Sequence, residues 1–83
     1  MNIMAELQGR KAYNIHLKGN ALLEKKMFKE AEAKHREALE AYEKAEAAGN
    51  NNPRHLMAYG VLLLRSRQYE KARAMMLNVE KPP

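Results

Sequence analysis

Cysteine and aspartate are both missing from this 83-residue chain. Without cysteine there is no disulfide framework and no thiolate to act as nucleophile or metal ligand, so a reducing, cytoplasmic setting is expected. Without aspartate a Ser-His-Asp arrangement cannot be assembled, and the only hydroxyls are Ser66 and four tyrosines. The four glycines are isolated from one another, so no glycine-rich loop can cradle a phosphate. No stretch approaches the apolar length that spans a bilayer, and the opening MNIMAELQGRK has no apolar run of signal-peptide length. Histidine is sparse too. His16, His35 and His55 offer no pair at i,i+4, and Glu32–His35 is a lone Glu-x-x-His where a di-iron bundle needs two such motifs and further inward glutamates. His35 is therefore expected to be half-buried in a core, with His16 and His55 on the surface. No enzyme, cofactor or metal site is expected.

Charge is what the chain has in quantity. Charged residues make up 30%, and 15 lysines and arginines against 10 glutamates give a net charge of +5. The excess is uneven: residues 1–48 hold nine basic and eight acidic groups, whereas residues 49–83 hold six and two. The second half is thus the part that suits an acidic partner. Mean hydropathy is −0.69, yet the apolar residues recur at helical spacing, which favours one folded helical domain spanning 1–83 over disorder. A chain this short buries a modest core.

The periodicity predicts four helices. In the first, running to about Lys25, Ala12, Ile15, Gly19 and Leu22 share one face. Asn2 is a candidate cap, and Gly9 weakens the early turns, since an interior glycine costs about 1 kcal/mol. Lys25–Met27 reads as a tight connection. The second helix, Phe28 to about Ala48, carries the inward stripe Phe28, Ala31, His35, Ala38, Tyr42, Ala45. Its other faces place Glu30, Glu32 and Glu40 four residues before Lys34, Arg36 and Lys44, the favourable order on a solvated surface. Gly49–Asn52 stops it; Asn52 caps the next helix and Pro53 fits its first turn. A third helix is expected to reach about Arg65 with Leu56, Gly60 and Leu63 inward, then a turn at Ser66–Gln68. A fourth would bury Tyr69, Ala72, Met76 and Val79.

An internal echo supports this pairing. Gly19, Phe28 and Ala31 return 41 residues later as Gly60, Tyr69 and Ala72. Small residues let two antiparallel helices approach closely while the aromatic fills the space by the turn. The skeleton resembles the tetratricopeptide repeat, a helix–turn–helix unit of 34 residues. The family's positions fall on Ile15, Gly19, Leu22, Phe28, Ala31 and Ala38, then on Leu56, Gly60, Leu63, Tyr69, Ala72 and Val79. Lys18 and His35 depart from the pattern. So does the period, whose seven extra residues lengthen the second helix by roughly 10 Å. The resemblance implies an all-α fold: hairpins at about 11–48 and 53–80, stacked as a right-handed superhelix.

It also implies a non-enzymatic scaffold that binds a protein partner's peptide or helix in a groove lined by the first helix of each unit. Mapped by register, that groove face is Tyr13, His16, Asn20, Leu23 and Glu24, then Arg54, Met57, Val61, Leu64 and Arg65. Asn20 matches one position of the family's carboxylate-clamping motif. His16 stands where that motif has lysine and Ala58 where its second repeat has asparagine, so no clamp is assigned. The apolar end, Met75, Met76, Leu77 and Val79, exceeds what one partner helix covers, so a homo-oligomer or membership of a longer repeat array is expected. The alternatives are a basic helical domain that binds nucleic acid, and a three-helix bundle of the microtubule-interacting-and-transport type. Nucleic-acid binding is disfavoured, because the first half interleaves its bases with glutamate and the aromatics are needed for packing.

Overall fold

The computed structural model describes residues 2–80, and their side chains except at 72, 73 and 75–80. Every regular element among them is an α-helix: α1 (Ile3–Glu24), α2 (Phe28–Ala47) and α3 (Pro53–Glu80). The chain is all-α. None of the described helices is long and apolar enough to cross a membrane.

Four of the boundaries have a local cause. Asn2 starts α1: its Oδ1 accepts from the Ala5 amide at 3.1 Å, while its Nδ2 donates to the Ala48 carbonyl at 2.7 Å. One side chain thus serves an N-terminus and the neighbouring C-terminus. α1 ends with the Met27 amide donating back to the Leu22 carbonyl at 3.0 Å, which places Lys26 in the left-handed region at φ 63°. α2 ends the same way, with the Asn50 amide donating to the Ala45 carbonyl at 2.9 Å and Gly49 at φ 99°. Asn52 opens α3, its Oδ1 accepting from the Arg54 amide at 2.9 Å. Its Nδ2 donates to Glu6 Oε1 at 2.7 Å, fastening the start of α3 to α1.

α1 and α2 form an antiparallel hairpin closed by small residues. Ala5, Ala12, Ala31, Ala38 and Ala45 are all fully or almost fully buried. The predicted inward stripe of α2 holds from Ala31 to Ala45, but its first member does not: Phe28 is 59% exposed. It is the first residue of α2. α3 then lies along the hairpin in the same sense as α1. Its His55 ring sits by Tyr13, and further along Tyr69 reaches His35. Among the described side chains of α3, Leu62 is the one large aliphatic that is fully buried, packed with Ala12, Ile15, Ala38 and Tyr42.

The predicted turn at Ser66–Gln68 is absent, and with it the second hairpin: these residues lie inside α3. Arg65, Ser66, Arg67 and Gln68 include neither glycine nor proline, so nothing interrupts the ladder of backbone hydrogen bonds, and 28 residues run on for about 42 Å. The continuous helix also changes which face is buried. Leu56 and Leu63, expected inward, are exposed, and Leu62 takes the core position. Gly60 is likewise exposed, with nothing near the place a Cβ would occupy.

Candidate partner-binding groove

α1 and α3 run side by side and leave a groove of about 330 Å³ between them. Tyr13, His16, Leu17 and Asn20 line it from α1, at helical intervals of three, one and three. Arg54, Met57, Ala58, Val61 and Arg65 line it from α3, again at intervals that return to one face. The floor and walls are mostly apolar, and Met57, at 73% exposure, stands almost free in solvent. Among the described residues the two arginines are the only charged ones in the lining.

Seven residues expected on the groove face from sequence meet here: Tyr13, His16, Asn20, Arg54, Met57, Val61 and Arg65. Three do not line it. Leu23 is half-buried and Glu24 exposed at the end of α1, and Leu64 points out from α3, 60% exposed. Leu17 and Ala58 join the lining although register did not assign them; each neighbours an assigned residue, His16 or Met57. The residues expected to drive self-association, Met75, Met76, Leu77 and Val79, lie outside those whose side chains are described. A slightly larger groove, about 370 Å³, runs along the α1–α2 face. Lys11, Glu37, Glu40 and Lys44 alternate along it, which makes it a solvated charged surface.

Beneath the groove lies a seam of rings joining all three helices. His16 and His55, expected at the surface, are both buried, as is His35. The His16 Nδ1 and the Tyr42 hydroxyl form a buried hydrogen bond of 2.9 Å. His35 Nε2 donates to Asn20 Oδ1 at 2.9 Å, which leaves its Nδ1 bare to accept from the Tyr69 hydroxyl at 3.5 Å. Asn50 Nδ2 donates to His55 Nδ1 at 3.3 Å. The His16 and His35 rings meet edge to face, 5.6 Å between centroids, and Tyr42 stacks on Tyr59 of α3 at 5.2 Å. Sequence pattern placed His35 inward but missed His16 and His55, whose burial is set by partners on other helices. The available signal was glycine: a Cβ at Gly9 would collide with His55 and Asn50, and one at Gly19 with the His35 ring. These glycines make room for rings.

The seam favours the neutral form of two of its histidines, His16 and His35. Burial lowers the pKa of His35 to about 4, aided by the neighbouring His16 and by the Arg65 guanidinium. Burial, then Arg65, lowers that of His16 as well. The Tyr42 hydroxyl is pushed up by burial and then by Tyr13. A neutral imidazole pair is a packing device here. Among the described residues no cluster of three metal-ligating side chains forms. No protein-family model, curated protein or solved structure matches the chain.

Proposed function

We propose that this protein is a small helical interaction module that takes a helical segment of a protein partner into the groove between α1 and α3. The observation that carries the reading is the groove itself: apolar side chains at helical intervals on two adjacent helices, with polar and charged groups at its rim. That is the anatomy of an interface, an apolar centre inside a polar edge, and the recurring mode by which a helix is held in a groove. The tetratricopeptide reading rests on the first hairpin. There Gly19, Ala31 and Ala38 are buried where the family's small residues pack. On this reading α3, which runs in the same sense as α1, stands for the next unit's first helix, and it departs from the repeat by continuing without turning back. The module does no chemistry on this reading; it binds.

Selection of a displayed peptide library on the full chain tests the proposal. Peptides that bind the groove should lose binding to Met57→Glu or Val61→Glu, variants whose circular dichroism should match the parent, since Met57 and Val61 are exposed. Leu64→Glu, on the outer side of α3, should leave them unaffected. Selected peptides that ignore Met57→Glu and Val61→Glu but fail on Leu64→Glu would move the site to the outer face.

A further inference from the structure

The charge of the groove identifies its occupant more closely, on the reading that the groove takes a partner helix at all. Arg54 and Arg65 stand at its two ends, and no carboxylate among the described residues lines it. They are eleven residues apart on α3, which is three helical turns, so they share a face about 16 Å apart along the axis. Met57, Ala58 and Val61 lie between them, with Tyr13 and Leu17 opposite. The Nε of Arg65 is buried and takes no protein acceptor among the described residues. A guanidinium at the edge of an apolar trough fits a carboxylate, which it can grip through two parallel hydrogen bonds. The surplus of positive charge over residues 49–83 draws such a partner from a distance.

We infer that the occupant is an amphipathic helix with one carboxylate at each end of its apolar stripe, the two about three turns apart, paired to Arg54 and Arg65. An extended peptide would span the same 16 Å in about five residues. The helix fits better because both walls repeat at three- and four-residue intervals, the spacing at which the side-chain ridges of a third helix interdigitate.

The test uses the selected peptides. Expected are sequences with glutamate or aspartate about eleven positions apart around an apolar stripe, gaining helical circular dichroism when bound. Arg54→Glu should weaken them about ten-fold or more, in line with the loss of a charge-assisted hydrogen bond. Exchanging the matching peptide acid for lysine should restore binding to that variant. Added salt should weaken binding to the parent chain. Arg65→Gln is the companion variant, and should it fail to fold, exposed Arg54 still decides the question. His16 gives an independent readout, because a carboxylate on Arg65 removes part of the positive field that disfavours its protonation, so its titration should move upward on binding. Peptides that need Met57 but show no acidic preference, tolerate Arg54→Glu or bind extended overturn this inference and leave the groove reading standing. No peptide that depends on Met57 overturns both.

Discussion

Nδ1 of His16 and the hydroxyl of Tyr42 lie 2.9 Å apart, buried between α1 and α2. Neither group has water to fall back on. Removing the hydroxyl leaves a buried ring nitrogen unsatisfied, and that loss exceeds the modest net value of the bond itself. Tyr42→Phe keeps the ring and its stack on Tyr59. It is therefore expected to destabilise the fold by about 1–3 kcal/mol through the hydroxyl alone. The denaturant midpoint should fall with an unchanged slope. A midpoint equal to the parent's would mean that His16 finds another partner.

Gly19 and Gly60 look equivalent in sequence, one in each copy of the apparent repeat, and the structure gives them opposite roles. A Cβ at Gly19 strikes the His35 ring, which cannot turn aside without losing Asn20 or Tyr69. Gly19→Ala should cost about 1–3 kcal/mol, the usual penalty for overpacking. Gly60 meets nothing within 4 Å and sits exposed inside α3. Gly60→Ala should stabilise the chain by about 1 kcal/mol, since glycine is a poor helix former. Thermal melts of the two variants should move in opposite directions.

That contrast marks how far the sequence could be read. The helical class, the cap at Asn2, the stop at Gly49, the start at Asn52–Pro53 and the alanine stripe of α2 each follow from residues acting on near neighbours, and each was legible. The α1 side of the groove, Tyr13, His16 and Asn20, follows from helical register, whereas α3 buries Leu62 in place of the expected Leu56 and Leu63, so its inward face was not legible. Three other things were not. The turn at Ser66–Gln68 came from repeat register alone, with no residue there that breaks a helix. Phe28 was placed by a stripe that stops one turn short of the helix end. The buried histidines depend on partners from other helices, Tyr42 for His16 and Asn50 for His55, which spacing along the chain does not reveal.

Continuity of α3 can be tested where the repeat reading expected a turn. Arg67 is exposed, so its side chain is expendable. Arg67→Pro removes a backbone donor and drives the ring against the carbonyl of residue 63, at about 3 kcal/mol in a helix interior. The expected outcome is a loss of helical ellipticity and separation of Tyr69 from His35, seen as a change at the His35 imidazole. In a turn the same substitution would be nearly silent.

Acid should loosen the seam before it affects the rest of the molecule. The imidazole of His35 has a pKa of about 4 in the fold, and that of His16 is lowered as well. In the unfolded chain both return to about 6.5. Between those values the unfolded chain binds more protons than the folded one, so stability rises with pH across the window. It is complete above pH about 6.5 and declines as pH falls, the His35 contribution levelling off near pH 4, where the folded ring is protonated too. For His35 the difference is on the order of 3 kcal/mol. The groups around it are mixed: His16 from α1, Glu32 and Arg36 from α2, Arg65, Tyr69 and Glu70 from α3. Denaturant midpoints measured from neutral pH downward should fall through this interval. The double variant His16→Gln, His35→Gln should flatten the dependence even though it starts less stable. A parent chain whose midpoint holds constant from neutral pH to about 5 would show that these rings accept protons within the fold, and that the seam is wetter than its burial implies.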